Sequence, residues 1–131
     1  MTAIINNPGM DVLAGATWLR QVMFTRTLPN GQSEWVGGSG WGAEFGLVNP
    51  DNNAEIYGVA TVANNKAAWA ADGILWISFS QAETITWNWT RAAWYLDLVM
   101  PNTAVDPFGY RETILRGTLR CSPRSPARAG A

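Results

Sequence analysis

The chain of 131 residues has no histidine and a single cysteine, Cys121. Histidine is the commonest general base in enzymes, so its absence excludes mechanisms that activate a serine or a cysteine through an imidazole. One cysteine cannot form a disulfide within the chain, and without histidines it belongs to no zinc-type cluster. We therefore expect neither a bound metal nor a His-dependent active site, and nothing in the sequence indicates a cofactor.

The sequence also lacks the basic and apolar stretches of a secretory signal, and no apolar run approaches the length of a membrane span. Its net charge of -1 gives no general attraction to nucleic acid. We expect a soluble protein that is made in the cytoplasm and has no membrane or nucleic-acid partner.

Carboxylates are the remaining candidates for catalysis, because glycoside hydrolases use a pair of them. Four acidic residues lie near tryptophans whose rings can stack on sugars: Glu34, Glu44, Glu83 and Asp97. No two of the 10 acidic residues have a diagnostic spacing. The turn between Asp51 and Glu55 supplies too few oxygen ligands for a calcium loop. The sequence therefore predicts a protein that is not an enzyme.

Tryptophan and arginine are both unusually frequent. The chain has 8 Trp, and Lys66 is the one lysine among 9 basic residues. Trp and Arg are enriched at protein interfaces and Lys is depleted, since rigid rings and planar guanidinium groups lose little freedom on binding. This composition favours an interaction protein, although the same tryptophans can simply fill the core of a small β domain.

Clusters of Gly, Pro, Asn and Asp divide the chain into short segments rich in β-branched and aromatic residues. The predicted strands are 17–26, 41–48, 55–62, 73–80, 92–100 and 110–121. Short strands without helical crossovers are typical of an antiparallel sandwich or barrel. We predict an all-β domain over residues 17–121.

Two local patterns refine this prediction. The stretch GGSGWGAEFGLVNP, residues 37–50, contains the glycine spacing of a nucleotide-binding loop, but no helical pattern follows it. Alternate positions are apolar instead, which indicates a half-buried strand: Trp41, Ala43, Phe45 and Leu47. The segment Ser80–Glu83 matches a helix capping box and predicts one short helical turn over residues 81–87.

The two ends of the chain lack the pattern of a strand. Residues 1–16 are predicted to form an N-terminal arm. Residues 122–131, SPRSPARAGA, contain two Ser-Pro pairs and no large apolar side chain to bury. Such a tail is disordered in isolation, so its ordering would require a neighbouring chain.

Three tryptophans near the middle of the chain are candidates for a binding surface. Trp87 and Trp89 share one face of any extended stretch, and Trp94 lies just beyond them. Together they could form an aromatic platform that stacks on a sugar ring or on a neighbouring subunit. In the competing interpretation at least two of the three belong to the core.

Three stretches between residues 72 and 123 carry a family resemblance: DGILWISFSQAET, RAAWYLDLVM and RETILRGTLRCSP. They resemble a family of small tailed-phage virion proteins that occur alone or as the N-terminal domain of baseplate and tail-fibre-anchoring proteins. The family features are a strand ending in a Ser-x-x-Glu-Thr turn, a Tyr-Asp-Leu-type strand and a final Arg-Gly-Thr-Val-like strand. In this sequence they fall on Ser80, Glu83, Thr84, Tyr95, Asp97, Leu98 and residues 116–119.

The resemblance implies an antiparallel immunoglobulin-like β-sandwich that packs against other virion subunits, in a symmetric assembly formed in the host cytoplasm. The arm 1–16 would extend along one neighbour. Three arginines would bond to carboxylates or carbonyls of another: Arg120, Arg124 and Arg128. We therefore expect a tail, baseplate or fibre-attachment adaptor. Two alternatives stay open, a capsid decoration protein and a carbohydrate-binding module that uses the three tryptophans.

Overall fold

The computed structural model describes residues 2–5, 10–101 and 111–122. Within these ranges the chain forms ten strands and one helix. In chain order they are β1 (Thr2–Ile5), β2 (Val12–Leu13), β3 (Trp18–Thr27), β4 (Ser33–Trp35), β5 (Gly42–Asn49), β6 (Asn52–Thr61), β7 (Ala67–Ala71), β8 (Ile74–Phe79), α1 (Gln81–Thr84), β9 (Arg91–Val99) and β10 (Arg111–Ser122).

The strands form two five-stranded sheets. The first sheet has the order β1-β3-β8-β7, and β4 also pairs with β3. The second sheet has the order β2-β10-β9-β5-β6. The short β2 runs parallel to β10, and every other described pairing is antiparallel. The predicted all-β class is confirmed.

One hydrophobic core receives the inner side chains of both sheets. The strand β8 buries Leu75, Ile77 and Phe79, while β5 buries its own alternate residues. Trp18 of the first sheet stacks on Phe45 of the second, with ring centroids 5.2 Å apart. Fully burying each such side chain contributes about 1.5–3 kcal/mol. The period-2 pattern therefore determines which face of each strand points into the core.

The glycine stretch before β5 is a turn, and the strand predicted after it is confirmed. Gly37 and Gly38 have φ angles of +91° and +151°, a region that other residues rarely adopt. A Cβ at Gly37 would lie 2.5 Å from the Trp69 ring, and one at Gly38 would lie 2.5 Å from the Asp72 carboxylate. Backbone conformation and close packing therefore account for these glycines.

The predicted capping box is present at the start of α1. The Ser80 hydroxyl accepts from the backbone N–H of Glu83, and the Glu83 carboxylate accepts from the backbone N–H of Ser80. The helix ends at Thr84 and not at residue 87, because the backbone N–H groups of Thr86 and Trp87 donate only three residues back, in tighter turns. The buried Thr84 hydroxyl donates to the Ala16 carbonyl over 2.7 Å, which fixes the helix against the N-terminal segment.

The prediction of a separate arm at residues 1–16 was wrong for the described part of that segment. The strand β1 pairs with β3, and β2 pairs with the end of β10. A strand of two to four residues is too short for a period-2 pattern, so its partner strand determines it. Of the predicted tail, Ser122 is the last residue of β10, and residues 123–131 lie outside the described residues.

Candidate interaction surfaces

Trp87 and Trp89 lie in the segment between α1 and β9, and the structure brings them together. Their ring centroids are 5.1 Å apart. Trp89 also stacks on Tyr57 at 4.9 Å with ring planes within 5°. Trp87 meets Phe79 of the core edge-on at 5.2 Å. The rings therefore form a row from the core outward, in which each tryptophan packs against aromatic neighbours of its own domain.

Trp94 does not join this row. Its ring lies 5.7 Å from Phe45, on the inner side of the second sheet. A Cβ at Gly117 would lie 3.1 Å from the same ring, so a larger residue there would press against it. Like Trp87 and Trp89, Trp94 is half-buried. The predicted three-ring platform is thus reduced to a two-ring contact, and each of the three tryptophans packs partly on the core.

The outer face of the first sheet is unexpectedly apolar. We call it the apolar sheet face and define it by Ile4, Met23, Trp35, Ile74 and Trp76. Ile4 and Ile74 are both register partners of Met23, so these three side chains form a row across three strands. Ile4 and Trp35 are each 51% exposed. The sequence ILWISF of β8 is apolar at almost every position and could have revealed that both faces of this sheet are apolar.

A polar network occupies one end of the outer face of the second sheet. Glu44 and Asp97 are direct cross-strand partners, and Arg111 lies 3.0 Å from Asp97 and 3.4 Å from Glu44. The Thr113 hydroxyl donates to Asp97 over 2.6 Å. The Tyr95 hydroxyl donates to Glu44 over 2.7 Å. Both carboxylates therefore belong to one network of hydrogen bonds and ion pairs.

Burial and the Glu44 carboxylate together raise the pKa of the Tyr95 hydroxyl well above its usual range. The hydrogen bond to Asp97 raises the pKa of the Arg111 guanidinium, so it stays positively charged. These contacts could not be predicted from the sequence, because the register of the strands decides which distant residues face each other. Arg111 offsets part of the carboxylate charge at this end of the sheet surface.

Three arginines occupy the other end of the same outer face. We call this end the arginine face and define it by Arg91, Arg116 and Arg120, all exposed. Arg91 and Arg120 are direct register partners, and Arg116 lies opposite Tyr95. In the described part of the chain no carboxylate lies within 4.0 Å of the guanidinium group of any of the three, although the Asp11 carboxylate accepts from the backbone N–H of Arg120 over 2.9 Å. Arg120 was predicted as an interface residue, whereas Arg91 and Arg116 were missed.

A groove of about 550 Å³ runs along the arginine face. Its lining combines apolar and polar residues and includes one of the predicted tryptophans: Val48, Asn53, Ile56, Ala93, Trp94, Tyr95, Arg116, Gly117 and Thr118. Ile56 is 60% exposed, the highest value among the large apolar residues of the described chain. The two remaining predicted interface residues, Arg124 and Arg128, lie outside the described residues.

The described chain has little that suggests metal or thiol chemistry. Nowhere in residues 2–5, 10–101 and 111–122 do three or more His, Cys, Asp or Glu side chains cluster in a way that could hold a metal ion. Cys121 is buried in the core, and burial raises the pKa of its thiol. None of the helical structure in these ranges is long and apolar enough to span a membrane.

Comparison with known proteins gives no match to any protein-family model and none to a curated protein. The resemblance to tailed-phage virion proteins therefore stays a prediction.

Proposed function

We propose that the protein is a non-enzymatic structural subunit of a tailed-phage virion, a tail, baseplate or fibre-attachment adaptor that acts by packing against other subunits. The proposal includes an immunoglobulin-like arrangement of its two sheets. The observation that carries it is the apolar sheet face. The family resemblance of residues 72–123 adds support from the sequence.

An antiparallel sheet that covers a core on one side and meets water on the other has polar residues on its outer face. On the first sheet, Ile4, Met23 and Ile74 form an apolar row in that position, with two tryptophans beside it. Contiguous apolar patches of this kind mark protein interfaces. The face therefore suits burial against a second protein surface.

The polar groups of the described chain support a structural role. The carboxylates of Glu44 and Asp97 are the closest approach to a catalytic pair, and Arg111 and two hydroxyls already satisfy them. Asp97 is only 7% exposed, which leaves little room for a substrate to reach it. Their contacts and burial support a structural role for these carboxylates.

The two alternatives differ in their support. A capsid decoration protein would use the same apolar sheet face, so only the location of the protein in the particle separates it from an adaptor. A carbohydrate-binding module needs exposed aromatic rings, but Trp89 packs on Tyr57 and Trp87 packs on Phe79. The sugar-binding alternative is therefore less well supported.

The test compares two isoleucines of similar exposure at different places. Ile4 on the apolar sheet face is 51% exposed, and Ile85 after α1 is 47% exposed. Particles would be assembled with Ile4→Asp or Ile85→Asp, and incorporation of each variant measured by quantitative mass spectrometry. We expect Ile4→Asp to lower incorporation about tenfold or more while Ile85→Asp incorporates normally. Thermal melts of both purified variants serve as the folding control. Normal incorporation of a folded Ile4→Asp variant would contradict the proposal.

A further inference from the structure

We infer that the arginine face binds an extended acidic segment of a partner protein, whose carboxylates pair with Arg116 and Arg120 and whose apolar side chain enters the groove between them. This inference deepens the proposed function and rests on it, because the partner is then a neighbouring subunit. It concerns the second sheet, whereas the proposed function is carried by the first.

The charge arrangement is the first argument. Like charges directly opposite each other on neighbouring strands destabilise a sheet, yet Arg91 and Arg120 occupy such a position. Arg116 adds a third positive charge on the same face, four residues along β10. Asp51 lines a groove together with Arg91, and Asp11 accepts from the backbone N–H of Arg120, but neither carboxylate lies within ion-pair distance of these guanidinium groups. A partner with negative charge would relieve this repulsion.

The groove beside these arginines indicates which kind of partner side chain lies between the two carboxylates of the bound segment. Val48 and Ala93 are register partners in the middle of the second sheet, and both line the groove. Ile56 extends the apolar wall from β6, while Thr118 lies opposite Ala93 on the other side. An aliphatic side chain of moderate size fits this lining. A segment with only charged side chains would leave this apolar lining exposed to water.

The spacing fixes the pattern of the partner. Arg116 and Arg120 are separated by four residues of one strand, a distance of about 13 Å at ~3.3 Å per residue. An extended segment presents every second side chain to the same face. Two carboxylates four residues apart would therefore meet the two arginines, with the residue midway between them pointing at Thr118 and Ala93.

The other end of the same face limits where such a segment can bind. Glu44 and Asp97 lie there, on β5 and β9, and β9 is the strand that pairs with β10. Arg111 offsets one of their two negative charges, and the charge that remains disfavours an acidic segment that slides in that direction. A guanidinium group can form bidentate bonds with a carboxylate. The arginines of the arginine face would therefore hold the bound segment in one register.

A protein segment suits this face better than a nucleic acid. The chain has a net charge of -1, so it lacks the overall attraction that drives binding to phosphate backbones. Two aromatic side chains line the groove: the Trp94 ring packs on Phe45, and the Tyr95 hydroxyl is already bonded to Glu44. Base stacking therefore has no free platform in this groove.

The experiment measures binding of labelled peptides to the purified full chain by fluorescence anisotropy at low and high salt. The probe has the core Glu-Thr-Val-Thr-Glu, with both glutamates and the valine on one face when it is extended. The control isomer, Glu-Thr-Val-Glu-Thr, places its glutamates on opposite faces. We expect the probe to bind about tenfold more tightly than the isomer, and added salt to weaken its binding.

Matched arginine variants locate the site. Arg116→Gln and Arg120→Gln are each expected to weaken probe binding about tenfold. Arg26→Gln, on the first sheet, removes one charge elsewhere and should leave binding unchanged. Arg120→Gln should also raise the melting temperature, since it removes the repulsion from Arg91. If Arg120 only supported the fold, Arg120→Gln would lower the melting temperature instead.

The outcomes separate this inference from the proposed function. Equal binding of the two peptides, or unchanged binding by Arg116→Gln, would overturn the acidic-segment site and leave the apolar sheet face untouched. Tighter binding of oligothymidylate than of the probe would overturn the choice of a protein partner. Specific probe binding by a chain that never enters particles would instead remove the proposed function.

Discussion

Arg91 and Arg120 lie directly opposite each other on β9 and β10, and among the described residues neither guanidinium group has a carboxylate within 4.0 Å. Ala92 and Leu119, the next register pair, are buried in the core, so the two guanidinium groups point outward together. Two like charges held side by side oppose folding. The position is more consistent with a surface that receives a partner than with one selected for the stability of the free protein.

The first prediction concerns this pair. Arg91→Gln removes one charge and keeps a long polar side chain, so we expect the free energy of unfolding to rise by about 0.2–1 kcal/mol. Chemical denaturation at low salt measures the change, and high salt should reduce it. The control Arg26→Gln breaks an exposed ion pair with Glu34 and should leave stability unchanged or slightly lower. A loss of stability in Arg91→Gln would contradict the repulsion.

The second prediction concerns the close packing of Tyr95 on the backbone of β5. A Cβ at Gly46 would lie 2.3 Å from the Tyr95 ring. We expect Gly46→Ala to destabilise the protein by about 1–3 kcal/mol, because the ring must leave its position. In a Tyr95→Ala background, Gly46→Ala should lower the free energy of unfolding much less. A double-mutant cycle by urea denaturation measures the coupling, and additive effects would show that the ring does not limit this position.

The third prediction follows from the hydroxyl of Tyr95. Burial, and then the hydrogen bond to the Glu44 carboxylate, raise its pKa in the folded protein. An unfolded tyrosine ionises near pH ~10. The stabilising effect of the neutral hydroxyl is therefore complete below that pH and is lost as the pH rises above it, since only the unfolded state releases the proton readily.

Urea denaturation at increasing alkaline pH tests the third prediction. Stability of the natural sequence should fall as the pH rises above about 10, and Tyr95→Phe should show a weaker decline. Tyr57→Phe is the comparison variant: burial, and then Glu55 and Asp51, also raise the pKa of Tyr57, but without a hydrogen-bonded carboxylate, so Tyr57→Phe should weaken the decline less than Tyr95→Phe does. Equal declines in the natural sequence and in Tyr95→Phe would show that this hydroxyl does not control alkaline stability.

The longer elements of the fold could be predicted because the inside–outside alternation extends over enough residues. In β5, the alternation of Ala43, Phe45 and Leu47 identified both the strand and its buried face. The short strands β1 and β2 could not be found this way. Two to four residues carry no measurable period, and their positions are determined by pairing with β3 and β10.

The surfaces were harder to predict than the strands, since they depend on register. Glu44 and Asp97 are far apart in sequence, and only the pairing of β5 with β9 makes them neighbours. The same holds for Arg91 and Arg120, which face each other through the pairing of β9 with β10. The composition shows that arginine and tryptophan are abundant. Which of these residues share a surface depends on how the strands pair, and the sequence does not reveal that pairing.

The central claim is that the protein is a structural component of a tailed-phage particle. Its most direct test is mass spectrometry of purified particles separated into heads and tails, searching for tryptic peptides that end at Arg91 and Arg111. We predict that both peptides occur in the tail fraction at low copy number. High copy number in heads would indicate a decoration protein instead, and absence from both fractions would contradict a role in the virion.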